Sequence, residues 1–301
     1  RRPADSTAKR GRPGHPAGMN PTAPARRRPR YKRAMDADTL LAALWDDYTR
    51  TTPQAARIHA LFAARGDAIV NDHVALRTYD RGGLGLAALA APFERAGWIR
   101  RDAYRFPDKH LRAAYWLHPE PTRPKVFVSE LIVDELSAAA GAAIDGLLAQ
   151  LPDGFTARAD LPWAGRPWSV SHATYQALLA ESEYAAWVAA FGFRVNHFTV
   201  DVGALASFAT LAEVNEFLVG HGFELNRAGG LIKGSPADHL EQSSTCADAV
   251  EVDFTDGVHR VPSCYYEFAR RYDLPTGERF HGFVPASADK LFHSTDVRVR
   301  S

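Results

Sequence analysis

Val70-Asn71-Asp72-His73-Val74-Ala75-Leu76-Arg77-Thr78 reads as a β-strand, with β-branched and apolar residues alternating with polar ones. Gly66 lies before it, and Gly82 and Gly83 lie after it. A period of two places Asn71, His73, Ala75 and Arg77 on one face and Asp72, Val74 and Leu76 on the other. An imidazole and a guanidinium then point the same way, roughly 13 Å apart at their Cα atoms in a regular strand. The chain nearly repeats itself at Arg194-Val195-Asn196-His197-Phe198-Thr199-Val200, where His197, Thr199 and Asp201 share a face. Two strands, each carrying a His near an Asn, open the case for a metal site.

Working outward from the two strands gives the architecture. Asp38 is placed to cap a helix through Leu40, Leu41, Leu44 and Trp45, and Thr52-Pro53 opens a second that stops at Gly66. After the His73 strand come a helix from Leu84 to Ala96 and strands around Trp98–Tyr104, Arg112–Leu117 and Val126–Val133. An Ala/Leu helix from Leu136 to Leu151 follows, then a loop over Leu161–Trp168. Next is one helix from a Ser171 cap to Gly192. The His197 strand then leads into a helix over Leu211–Val219. Strands follow around Phe223–Asn226, Leu231–Lys233, Glu241–Thr245, Ala249–Phe254 and His259–Phe268, with Asp256-Gly257 as the hairpin turn. A short helix falls at Ala286–Phe292. The body is therefore an α+β fold of two β-α-β-β-β modules, about residues 66–135 and 193–272. A helical connection over about 136–192 joins them, with added helices and a C-terminal tail. The modules are expected to curl into a half-barrel that holds a ligand on its concave face.

The chain of 301 residues is 46% hydrophobic and 24% charged, with a formal net charge of +1. Residues 1–33 carry 11 Lys/Arg and one acid, leaving 25 basic and 34 acidic residues in the rest. Residues 1–34 lack the large apolar side chains needed to fold and are expected to be a disordered basic extension, ahead of a single catalytic domain over 35–301. That stretch also lacks the apolar core of a secretory signal and is too rich in Pro for an amphipathic transit helix. Cys246 and Cys264 form no CxxC and read as buried thiols of a reducing compartment, so a cytoplasmic location is expected. No nucleic-acid or membrane partner is expected.

Of twelve histidines, His73 and His197 stand out because they hold equivalent places in the repeat. Two imidazoles need a carboxylate to complete a facial site for Fe(II), manganese or zinc. Glu267, on the face of Tyr265, and Glu130, within Val126–Ile132, are the two candidates. An ion pair with Arg112, Arg270 or Arg271 is the alternative for either, and alternation alone does not choose between them.

Five motifs, in order, decide further. Asn-Asp-His73-Val-Ala-Leu-Arg77-Thr, Val-Asn-His197-Phe-Thr, Lys233-Gly-Ser-Pro, Leu240-Glu-Gln-Ser-Ser-Thr and Pro262-Ser-Cys-Tyr-Tyr-Glu267-Phe together resemble the 2-oxoadipate dioxygenase/decarboxylase family, a branch of the vicinal-oxygen-chelate fold. The resemblance spans about Leu40 to Thr295. It implies a non-haem Fe(II) held by His73, His197 and Glu267, with no ligand role for Glu130. It also implies conversion of 2-oxoadipate and O2 to 2-hydroxyglutarate and CO2 in lysine breakdown. Arg77 becomes the residue that holds a substrate carboxylate, for which a guanidinium offers paired donors. A standing ion pair of Arg77 with Glu130, Asp201 or Glu267 is the alternative. Lys233, Gln242, Ser243 and Ser244 are candidate substrate contacts, with loop solvation an equal reading for each. A glyoxalase-like metal-dependent isomerase or lyase, or a metal-free small-molecule binding module, are the other functions open to such a fold.

Overall fold

The computed structural model describes residues 35–295, apart from the side chain of His293. The expected basic extension, with His15 in it, lies outside the described residues. Helix α1 (Ala37–Thr51) is capped by Asp36, whose carboxylate accepts from the Thr39 amide at 2.8 Å; Asp38, the expected cap, sits inside the first turn. Thr52 precedes α2 (Pro53–Ala64) as expected, with Pro at the first position, where no amide donor is needed. The first module follows as β1 (Asn71–Tyr79), α3 (Leu86–Arg95), β2 (Ile99–Phe106), β3 (Leu111–Leu117) and β4 (Lys125–Leu131). The connection holds α4 (Ala138–Leu148), α5 (His172–Glu181) and α6 (Glu183–Phe191). The second module is β5 (Val195–Asp201), α7 (Leu211–Gly220), β6 (Lys233–Ser235), β7 (Leu240–Ser244), β8 (Ala249–Phe254), β9 (Gly257–Pro262) and β10 (Tyr265–Arg271). Helix α8 (Pro285–Leu291) and a 3-10 turn over Phe292–Thr295 close the described chain.

Among the described residues, eight strands form one curved sheet in the order β2-β3-β4-β1-β5-β10-β7-β6, the half-barrel of the vicinal-oxygen-chelate type. The order is a mirror about its centre, where β1 and β5 pair antiparallel. On either side, β1 runs parallel to β4, and β5 parallel to β10. Parallel strands need helices on their faces. Accordingly, α1, α2, α6 and α7 lie against β5, β10, β1 and β7. Buried aromatics such as Tyr48, Phe198 and Tyr266 fill that layer, which is why β1 and β5 are buried almost end to end.

Two irregularities interrupt the central pair. Asn71 faces Val200 and His73 faces Thr199, so Asp72 is an extra residue on β1. Ala75 faces His197 and Leu76 faces Val195, so Asn196 is an extra residue on β5. Each β-bulge falls immediately before a histidine.

The structure departs from the sequence reading in three further places. The long helix expected from Ser171 to Gly192 breaks at Ser182, whose backbone is extended (φ −141°, ψ 110°) and whose hydroxyl caps α6 at the Ala185 amide. The strand expected over His259–Phe268 is two strands in two sheets. β9 pairs with β8 in a separate hairpin, and Pro262, lacking an amide donor, ends that ladder before β10 joins the main sheet. Residues 223–226 form no strand, only an isolated bridge from Leu225 to Thr245. Gly192 is obligatory where α6 ends: its φ is +68°, and a Cβ there would lie 2.3 Å from the Gly165 carbonyl oxygen.

Candidate metal centre

The three residues singled out in sequence meet on the concave face. His73 Nε2 lies 3.4 Å from Glu267 Oε1, and His197 Nε2 lies 3.3 Å from Glu267 Oε2. The imidazoles stand edge to face, 5.5 Å between ring centres, and one ligand atom from each of the three groups lies within 4.8 Å of the other two. His73 and Glu267 are 2% and 1% exposed, and His197 is buried as well. β1, β5 and β10 are adjacent strands, so the cluster is fixed by backbone pairing rather than by loops.

The proton positions can be inferred from the neighbours. His73 Nδ1 is 2.7 Å from Asp72 Oδ1, and His197 Nδ1 is 3.1 Å from Asn196 Oδ1. Both partners are acceptors, so each ring carries its proton on Nδ1 and keeps a lone pair on Nε2; both Nε2 atoms face Glu267, and that of His73 also accepts from the Thr199 hydroxyl at 3.1 Å. Burial lowers the pKa of both imidazoles; at His73 the Asp72 carboxylate opposes this, and at His197 the neighbouring His73 and Arg77 add to it. Burial pushes the Glu267 carboxyl up to about 8, against a hydrogen bond from Gln242 Nε2 to Oε1 at 2.6 Å. Glu267 Oε2 has no hydrogen-bond donor among the described residues. Two lone pairs and a carboxylate oxygen thus converge, a donor set that suits a cation. Separations of 3.3 and 3.4 Å also suit neighbouring positions around an ion bound at about 2.1 Å. The group fits a divalent transition metal held on one face, with positions left for substrate.

A cavity lies over these residues. Phe127, Tyr265 and Phe283 form its walls, and Ala288, Leu291 and Phe292 from the C-terminal segment roof it. Tyr265 stacks on His197 at 4.5 Å between ring centres. Arg77 lines the cavity, 1% exposed, beneath the faces of Tyr184, Trp187 and Phe292 at 4.9, 5.2 and 5.6 Å. Its ion-pair partner is none of those expected: Nη1 donates to Glu183 at 2.9 Å and Nη2 to Thr295 at 3.1 Å, while Nε is buried without a partner among the described residues. Glu183 is the first residue of α6, directly after the break at Ser182, and the local signal for that break is Ser182 itself, a residue type that favours helix N-caps. Tyr265, Phe283 and Phe292 were not picked out either, since aromatic residues in an apolar pattern read as core.

Other candidates are placed elsewhere. Glu130 takes the ion-pair alternative: Oε1 accepts from Arg112 Nε at 2.9 Å, and Oε2 accepts from the Leu86 amide at the start of α3 at 2.8 Å. The module-one counterpart of Glu267 is Phe127, because Tyr265 pairs with His197 as Lys125 pairs with His73. Gln242 faces the cavity and touches Glu267. Ser243, on the opposite face of β7, donates to Asn215 of α7 at 2.7 Å. Ser244 Oγ shares a hydrogen bond with Ser294 Oγ at 2.8 Å. Lys233 is buried with Nζ on the Asn226 carbonyl at 2.6 Å, and burial brings its pKa down to about 8. Cys264 is buried, and burial pushes its thiol up to about 11, which suits an unreactive core residue; Cys246 is partly exposed.

Comparison with known proteins points the same way. A family model described as 2-oxoadipate dioxygenase/decarboxylase matches residues 29–164 and 161–280. The chloroplastic/amyloplastic 2-oxoadipate dioxygenase/decarboxylase of Oryza sativa subsp. japonica is 35% identical over 289 residues, 85% of this chain and 78% of that protein. The crystal structure of the hydroxyglutarate synthase in complex with 2-oxoadipate from Oryza sativa superposes with a TM-score of 0.82 at 33% identity, covering 94% of this chain and 99% of that one. A protein from Shewanella frigidimarina NCIMB 400, solved under a provisional hydrolase name, is 50% identical, with a TM-score of 0.80 over 84% of this chain and 99% of that one. The plastid designation of the rice relative overturns the cytoplasmic expectation drawn from cysteine usage. Free thiols indicate a reducing environment, and that does not single out one compartment. No described helix is long and apolar enough to cross a membrane.

Proposed function

This chain belongs to the 2-oxoadipate dioxygenase/decarboxylase family, and we propose that it uses Fe(II) to convert 2-oxoadipate and O2 to 2-hydroxyglutarate and CO2, in lysine breakdown. The catalytic domain in this reading is residues 35–301. The observation that carries the proposal is the convergence of His73, His197 and Glu267 in one buried cavity wall that also contains Arg77. The reaction balances without a further reductant, since both atoms of O2 end in the two products.

His73 and His197 would hold the iron through Nε2 and Glu267 through its carboxylate. Bound there, the iron supplies the redox chemistry with O2 that no side chain can. The protein's own part is to bind and orient. Arg77 gives one N–H of Nη1 to Glu183 and one of Nη2 to Thr295, so Nε–H and the second N–H of each terminal nitrogen are the donors left for the distal carboxylate of the substrate. The Tyr265 hydroxyl, which burial keeps protonated, is a neutral donor on the same wall. Gln242 holds Glu267 through one oxygen, leaving the other toward the metal. The aromatic walls and the Leu291–Phe292 roof keep water from the reacting carbons.

The test is oxygen uptake by protein reconstituted anaerobically with Fe(II), across 2-oxo diacids of increasing length. The reading expects uptake that peaks at 2-oxoadipate. Turnover of a thiohemiacetal-type substrate with Zn(II) or Ni(II) and no O2 would replace it with an isomerase.

A further inference from the structure

The residue before each histidine is the extra residue of a β-bulge, and its side chain sits on the Nδ1 of that histidine. A regular strand would send residues 72 and 73, or 196 and 197, to opposite faces. The bulge removes that constraint and re-aims the side chain. As a result Asp72 Oδ1 comes to 2.7 Å from His73 Nδ1, and Asn196 Oδ1 to 3.1 Å from His197 Nδ1. The two partners are not alike. Asp72 is buried and also accepts from Arg271, Nε to Oδ2 at 2.6 Å and Nη2 to Oδ1 at 3.0 Å, and from Lys125 Nζ at 3.2 Å. Arg271 Nη1 in turn donates to the carbonyls of Phe280 and Gly282, next to Phe283, whose ring packs on His73 at 4.9 Å. Asn196 has its amide Nδ2 buried without a partner among the described residues.

We propose that Asp72 and Asn196 are the positioning residues that fix the tautomer and aim of His73 and His197, with the Asp72–Arg271 pair giving His73 the firmer hold. This rests on the metal reading of the site. A carboxylate or carbonyl on Nδ1 leaves Nε2 as the only lone pair, orients the ring and raises its basicity, and loss of such a partner weakens metal binding by about 10- to 100-fold.

Asp72→Asn and Asn196→Ala test it in the full chain. Three quantities are measured: Co(II) affinity of the metal-free protein, the visible spectrum of bound Co(II), and the ring 15N shifts of the metal-free protein, which report the tautomer without any metal. Wild-type protein is expected to show Nδ1–H at both rings. Each variant is expected to lose about 10- to 100-fold in Co(II) affinity per folded molecule, with an altered spectrum and a mixed tautomer at its own ring. Variants that melt earlier yet bind Co(II) within twofold of wild type, with unchanged ring shifts, overturn the inference and leave a structural ion pair. Wild-type protein that binds no Co(II) overturns the metal reading itself. If Asp72→Asn does not fold, Asn196→Ala, which removes no charge, decides.

Discussion

Arg77→Met removes the guanidinium while keeping an apolar side chain of similar reach beneath Tyr184, Trp187 and Phe292. Two losses are expected. Arg77 is 1% exposed and the Glu183 side chain 12%, so the variant strands a mostly buried carboxylate. Breaking such a pair costs about 3–5 kcal/mol, with the lower end apt here because Glu183 still touches solvent. Losing a charge-assisted contact to a substrate carboxylate costs a further 2–4 kcal/mol or so in kcat/KM, about 30- to 1,000-fold. The two effects separate in the double variant Arg77→Met/Glu183→Gln, which leaves no unpaired charge. Its Tm should return most of the way to wild type, while kcat/KM should stay as low as in Arg77→Met. Thermal unfolding and initial oxygen-uptake rates at several 2-oxoadipate concentrations measure both. If kcat/KM recovers together with Tm, Arg77 is a structural partner of Glu183 and the case for its grip on a dicarboxylate falls.

Folded Glu267 titrates near 8 against 4.5 for an ordinary glutamate, so the metal-free native state holds an extra proton between those pH values and loses stability as pH rises through them. Glu267→Gln lacks this slope: in metal-free protein its Tm should match wild type near pH 5 and exceed it near pH 8, while metal affinity collapses. A Tm difference independent of pH would contradict this. Glu130→Gln, which weakens the contacts to a half-exposed Arg112 and to the α3 amide, should cost about 1 kcal/mol in denaturant unfolding and leave kcat/KM unchanged. Tyr265→Phe should raise KM for 2-oxoadipate several-fold with metal affinity unaltered; an unchanged KM would remove the hydroxyl from the substrate's surroundings.

The two modules were legible because alternation and turn chemistry are local properties. The His73 and His197 strands, the Asp256-Gly257 hairpin and the Thr52-Pro53 helix start all follow from a few neighbouring residues. Register is not local. That Phe127 rather than Glu130 stands opposite the place of Glu267 depends on how β4 and β10 pair with β1 and β5, which no single strand encodes. The bulges at Asp72 and Asn196 belong to the β1–β5 pair in the same way. Period-two reading therefore placed Asp72 away from His73, where the structure has it in contact. On β7 the alternation holds: Gln242 turns to Glu267 and Ser243 to Asn215 on the other face. The tail helix was expected, but its place as a roof over the cavity comes from tertiary packing of Leu291 and Phe292.

The most direct test of the central claim is stoichiometry on one sample. Metal-free protein is loaded with one equivalent of Fe(II) without air and given 2-oxoadipate and a measured amount of O2; O2 consumed, CO2 released and 2-hydroxyglutarate formed are then counted, with the His73→Ala, His197→Ala and Glu267→Ala variants in parallel. The account predicts a ratio of one to one to one in the wild type and none of the three in any variant. Product formation without O2, or turnover that survives loss of any one of these residues, would contradict it.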